Sequence, residues 1–131
     1  MGTVVMDTNL VSYRMKKHPL AKRYDQLLKK QKLAVSFMTV AEMYEGAYRA
    51  SWGVNKMGNL ESALGSYAVI ESSPAICRRW GELRSERRHR PIATDDAWIA
   101  ATALANGWPL ATHNARDFEG ISGLKLITVP E

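Results

Sequence analysis

With one cysteine, Cys77, the chain cannot form an internal disulfide, so a packed core has to hold the fold together. No apolar run approaches the roughly 18 residues that a membrane-spanning helix needs. The opening Met-Gly-Thr-Val-Val-Met-Asp lacks the basic start and long apolar stretch of a secretory leader. Met6 stands where a myristoylation signal needs Ser or Thr. Internal repeats, low-complexity tracts and linker-like segments are also missing, so residues 1–131 are expected to form a single domain. These absences point to a soluble cytoplasmic protein. Hydrophobic residues make up 46% and charged residues 24% of the chain, which suits one globular core.

The net charge is +5, from 18 Lys and Arg against 13 Asp and Glu. Four acids gathered in one site would leave nine against the 18 bases. That describes an anionic spot on a cationic surface, suited to a polyanion held against bound metal.

Short strands and helices alternate along the chain. Thr3-Val4-Val5-Met6 reads as a buried strand ending at Asp7, followed by a short helix through Tyr13. Ala21 to Lys30 is an amphipathic helix, and Leu33-Ala34-Val35-Ser36 a second strand. Thr39 opens a helix to about Ser51, on which Met38, Met43, Tyr44 and Tyr48 are expected to bury one face. Asn55 to Gly65 follows as a helix, and Tyr67 to Ile70 as a strand. Pro74 starts a helix running to about Arg88, and Thr94 to Ala105 form another, closed by Asn106-Gly107. Leu110-Ala111-Thr112 and Leu124 to Ile127 are the last strands. The alternation predicts an α/β fold, a central parallel sheet of four or five short strands with helices on both faces. Ligands of such sheets bind beyond the carboxyl ends of the strands.

Acids stand at those junctions. Asp7 follows the first strand and Glu42 lies just after the second. Asp95 and Asp96 open a helix, and Asp117 follows Leu110-Ala111-Thr112. Each has an ordinary structural explanation taken singly. Asp7 could cap a helix, Thr39-x-x-Glu42 matches a capping box, Asp95 and Asp96 suit a helix dipole, and Asn114-x-x-Asp117 could be another cap. Capping does not explain why all of them fall on the sheet edge where a ligand would bind. Close carboxylates repel one another unless a cation offsets them, and an oxygen-only donor set favours Mg²⁺ or Mn²⁺.

Val5-Met6-Asp7-Thr8-Asn9, Val40 to Ala47, Pro91 to Ala103 and Thr112 to Phe118, taken in that order, resemble the PIN-domain ribonucleases. The likeness is greatest to the VapC-type toxins of prokaryotic type II toxin–antitoxin pairs. It implies a three-layer α/β/α PIN-like domain and hydrolysis of RNA phosphodiester bonds, aided by one or two Mg²⁺ or Mn²⁺ ions. It matches Asp7, Glu42 and Asp96 to the first three metal-binding, catalytic acids. Asp95 then fills a position often held by Asn. Asp117 matches the fourth acid, while Asn114 occupies a position where many relatives carry an acid, so the fourth contribution comes from Asp117 or, through water, from Asn114. Thr8, Asn9 and Thr112 would orient the carboxylates. The resemblance also implies an RNA substrate, a cognate antitoxin and a homodimer. A housekeeping RNA- or DNA-processing nuclease and a non-catalytic PIN-like binding module remain the alternatives.

Six arginines lie between Arg78 and Arg90. They form either a solvated helix face paired with Glu82 and Glu86, or a set of phosphate contacts that includes Arg84, Arg87 and Arg88. Arg14 follows the Asp7 helix and ranks first as an RNA contact. His113 lies nearest the acids of the three histidines and is a further candidate. Trp52, Trp80, Trp98 and Trp108 are expected to pack rather than to stack on bases.

Overall fold

The computed structural model describes residues 2–130. Five strands form one parallel sheet in the order β3-β2-β1-β4-β5. They are β1 (Thr3–Met6), β2 (Lys32–Ser36), β3 (Ala68–Ile70), β4 (Leu110–Ala111) and β5 (Leu126–Ile127). The helices are α1 (Thr8–Met15), α2 (Pro19–Leu27), α3 (Phe37–Arg49), α4 (Val54–Leu64), α5 (Pro74–Glu86) and α6 (Thr94–Asn106), with a single 3-10 turn at Ala115–Phe118. None of the helices among the described residues is long and apolar enough to cross a membrane.

Strand β1 is central, with Val5 in register with Ala34 on one side and Leu110 on the other. A central strand is covered on both faces, so β1 reads as a continuous apolar run rather than an alternating one. Its side chains still divide by the pleat. Val4 and Met6 pack with Leu10 and Val11 of α1, Tyr24 of α2, Met43 of α3 and Leu60 of α4. Val5 points the other way, toward Leu83 of α5, Ile99 and Ala103 of α6, and Phe118. Helices α1 to α4 thus cover one face and α5 and α6 the other, giving the expected three layers. The sheet order reverses at β1, where the chain goes first to β2 and later to β4. The gap beyond the carboxyl ends of β1 and β4 is therefore the topological switch point, and Asp7 stands at its edge.

Several element boundaries differ from the sequence expectation. Helix α3 begins at Phe37, because Ser36 Oγ accepts from the Met38 N–H at 3.0 Å. Thr39 is therefore inside the helix, and the expected capping box with Glu42 does not form. Helix α2 starts at Pro19, where fixed φ favours a first turn and His18 Nδ1 accepts from Leu20 N–H. It ends at Leu27, short of Lys30. Strands β3, β4 and β5 are each one or two residues shorter than expected. On α3, Met43 is buried but Tyr48 is 70% exposed, so the expected buried face stops short of it. Gly107 closes α6 in the left-handed conformation at φ 69°, which a side chain would strain.

Candidate active site

Among the described residues Asp7 is the most buried of the acids, at 4% exposure, and each of its carboxylate oxygens accepts one hydrogen bond. Oδ1 accepts from the Thr8 N–H at 2.8 Å, so Asp7 does cap α1. Oδ2 accepts from Thr112 Oγ1 at 2.7 Å. Thr112, itself buried just beyond β4, also accepts from the Asn114 N–H at 3.0 Å. One hydroxyl thereby ties the end of β1 to the turn after β4, across the switch point.

Glu42 approaches from α3. Thr8 Oγ1 donates to Glu42 Oε1 at 2.7 Å and lies 2.9 Å from Thr39 Oγ1. The one Thr8 hydroxyl proton goes to the carboxylate, so Thr39 donates to Thr8. Thr39, inside the helix that Ser36 caps, is buried and contributes its hydroxyl to this relay.

The acids sense one another. Burial raises Asp96 to about 7, with added repulsion from Asp95, Asp7 and Asp117. Burial likewise raises Glu42 to about 7, with Asp95 and Asp7 contributing and the Thr8 hydroxyl opposing. Asp7 is raised too, chiefly by burial, against the lowering effect of Thr112 and Thr8 and with repulsion from Asp117 and Asp95. These mutual effects place Asp7, Glu42, Asp95, Asp96 and Asp117 in one electrostatic neighbourhood. Among the described residues, the three ion pairs involve none of the five. A lone divalent cation would offset this repulsion, and an all-carboxylate donor set is what a hard ion prefers. Among the described residues, no three His, Cys, Asp or Glu side chains stand close enough together to hold a metal ion between them.

Other expected residues fall in varied places. Asp95 belongs to the acid group itself, facing Glu42. Asn9 and Asn114 are exposed beside it. Helix α6 has no side-chain cap, so Asp95 and Asp96 are the only charges of its first turn. Arg14 does not reach toward the acids. Its Nε donates to Asp25 at 2.9 Å, and its guanidinium lies over the Tyr67 ring. Arg84 donates to Ile92 O and Thr94 Oγ1 and stacks on Trp80, which makes it a brace between α5 and the start of α6. Arg88 is exposed and meets only His89. Arg87 does line a cleft that includes Asp96 and Asp117. Trp98 stacks on Trp80 at 4.7 Å and takes the edge of Phe37, as expected of a packing residue.

Two functional features escaped the sequence reading. Tyr24 is fully buried, and its hydroxyl is a hub. It donates to Thr112 O at 3.2 Å, accepts from Val129 N–H at 3.1 Å, and lies 2.8 Å from His113 Nδ1. Its spacing with Ala21 and Leu28 marks it as core, but nothing local reveals the hydroxyl's distant partners. Arg116 lines the same cleft as Arg87, and its place next to Asp117 was the available signal.

Comparison with known proteins identifies the family of the chain. The PIN domain family model matches residues 4–124. Ribonuclease VapC1 of Haemophilus influenzae is 33% identical over 125 residues, covering 92% of this chain and 93% of that protein. The tRNA(fMet)-specific endonuclease VapC of Shigella flexneri is 28% identical, covering 92% of this chain and 93% of that protein. Among solved structures, VapBC2 from Rickettsia felis bound to a promoter DNA fragment superposes with a TM-score of 0.84 at 28% identity, covering 96% of this chain and 98% of that one. The family model over residues 4–124 and the 33% identity to a VapC ribonuclease over 92% of the chain mean that the chain belongs to the PIN-domain family, in its VapC-type branch.

Proposed function

We propose that the protein is a metal-dependent endoribonuclease and the toxin of a toxin–antitoxin pair. The convergence of Asp7, Glu42, Asp96 and Asp117 beyond the ends of β1 and β4 carries this reading. The relatives named as ribonucleases support the reaction, and those solved as VapBC complexes support the pairing.

Asp7, Glu42 and Asp96 would hold one or two Mg²⁺ or Mn²⁺ ions, with Asp117 at the exposed side. Such an ion supplies Lewis acidity toward the phosphodiester and makes water a usable nucleophile near neutral pH. The protein's share is to aim the carboxylates, whose ionised forms the bound ion would favour. Thr112 and the Thr8 amide hold both Asp7 oxygens, and the Thr8 hydroxyl fixes one Glu42 oxygen. Asp95 adds negative charge beside Glu42 and so strengthens the attraction for a cation.

The antitoxin would seat in a cleft of about 630 Å³ that runs from Thr8 and Glu42 past Met43, Ala47 and Trp52. Its apolar wall suits apolar side chains of a partner segment, while Glu42 at one end and Lys16 and Lys56 along the cleft offer charges of both signs. Homodimer formation belongs to the same reading, supported by the exposed apolar side chains of Tyr48 and Val54. The cytoplasm is the compartment where such a toxin meets RNA.

Sequencing of RNA ends from cells expressing the wild type or Asp7→Asn tests activity and identifies the target together. The wild type should create new ends, and Asp7→Asn and Asp96→Asn should not, while both variants stay folded. Normal cutting by either purified variant would remove that residue from the site.

A further inference from the structure

Beside the acids lies a second feature with a different charge. A cleft of about 310 Å³ is walled by Arg87, Arg90 and Arg116 and opens at Asp96 and Asp117. That volume lies at the lower end of the range for a small bound ligand, roughly 300 Å³. Three arginines therefore line one cleft together with two of the acids.

The arginines are poised rather than neutralised. Arg87 is held by carbonyls, its Nε donating to Arg90 O at 2.9 Å and one terminal nitrogen to Glu119 O at 3.3 Å. These neutral partners orient the guanidinium without cancelling its charge. Arg90 pairs with Glu119 only loosely, at 3.8 Å, and both side chains are exposed. Such a pair contributes little and yields readily to a better anion. Arg116 is exposed and enters none of the ion pairs among the described residues.

We infer that this cleft seats the RNA phosphate next to the one being cleaved, with Arg87, Arg90 and Arg116 as its contacts. The inference rests on the nuclease reading given above and adds the path of the substrate. Planar guanidinium groups match phosphate oxygens in geometry as well as charge. The acids in the wall set the occupant. A nucleic-acid strand can place one phosphate on a cation at the acids and the next on the arginines. An acidic peptide would meet Asp96 and Asp117 as like charges. The clefts also continue past the acids. A second one, of about 500 Å³, shares Arg116 and Asp117 and runs on to His113, Asn114 and Thr128. Two clefts meeting at one arginine and one acid form a track for an extended strand rather than a pocket for a small anion.

The test is binding of a fluorophore-labelled single-stranded RNA by the full chain in an Asp7→Asn background, followed by anisotropy at several salt concentrations. Adding Arg116→Gln or Arg87→Gln should weaken binding on the order of fivefold and flatten the slope of log K against log salt by about 0.7 for each lost contact. Arg49→Gln, on the far pair with Glu45, should change neither. In the otherwise wild-type chain, Arg116→Gln should raise KM for RNA while kcat stays within about twofold, because the contact is made in both ground and transition states. Unchanged melting temperatures keep a folding defect from imitating the result. Unaltered affinity and slope in both variants would overturn the inference. So would loss of binding to the protein partner alone, which would make the cleft a protein contact. A wild-type chain that binds RNA through these arginines but never cuts it would sink the nuclease reading and leave the cleft assignment standing.

Discussion

Asp7 shows how one residue carries both structure and chemistry. Burying a carboxylate costs free energy unless its oxygens are satisfied, and here a backbone N–H and a hydroxyl take one each. Burial still dominates, so the group stays above its usual range until a cation joins it. The Thr112 hydroxyl is therefore a positioning group that also accepts from Asn114 N–H. Thr112→Val keeps the shape but removes both bonds, and should cost about 1–3 kcal/mol of stability. It should also slow RNA cleavage by roughly tenfold or more, as loss of a carboxylate-orienting partner does. Thr112→Ser should restore most of the activity. Denaturant melts and single-turnover cleavage read the two effects separately, and equal stability of Val and wild-type proteins would contradict the role given to this hydroxyl.

Elements act through their ends in this fold. Strand β5 has only two residues, too few to hold its place by ladder bonds alone. The Tyr24 hydroxyl on α2 supplies further ties, to Val129 just after β5 and to Thr112 just after β4. A helix on one face of the sheet thus fixes the two strand ends that shape the site. Tyr24→Phe preserves the buried ring and removes only the hydroxyl. It should leave Val129 N–H without its partner and destabilise the protein by about 1–3 kcal/mol. Hydrogen exchange at Val129 should accelerate before that of the β1 amides, since the loss is local. Uniform acceleration across the sheet would mean that Tyr24 supports the core as a whole instead.

Across the whole molecule, charge is sorted. Acids gather at the switch point of a protein whose net charge is +5, and arginines border them. This arrangement makes stability depend on pH and on divalent ions. Glu42 and Asp96 are raised to about 7 in the fold, above the ordinary values of 4.5 and 3.8 for these groups. Between those limits the folded chain binds more protons than the unfolded one, so metal-free stability falls as pH rises. The penalty is absent at low pH and complete above about 7. A bound cation favours the charged forms and reverses the trend. Melting in EDTA should therefore drop between pH 5.5 and 8, on the order of a few degrees, while millimolar Mn²⁺ should raise the melting temperature more at pH 8 than at pH 5.5. A larger Mn²⁺ effect at the lower pH would contradict carboxylate ligation.

Much of this was legible from residue order. The β-branched run ending in Asp7 announces a buried strand with an acid at its tip, because a central parallel strand must be apolar throughout. Asn106-Gly107 announces the end of α6, because only a residue tolerant of positive φ closes a helix that way. Glu42 was recognisable by its position just after a strand, since chain order places such positions on one edge of a parallel sheet, whereas Asp96 opens a helix that follows α5 and was singled out by the family resemblance. Side-chain partners were not legible. Arg14 follows Asp7 closely in sequence yet turns to Asp25 and Tyr67, 11 and 53 residues away. Thr39 fits a capping pattern yet serves Thr8, because Ser36 caps the helix first. Tyr24 drew no notice in the sequence and proves to tie α2 to the ends of β4 and β5. Periodicity and turn chemistry are local and survive translation into sequence. The direction of a buried hydroxyl or guanidinium depends on which distant segments packing brings within about 3 Å, and that is set only when the layers close around the sheet.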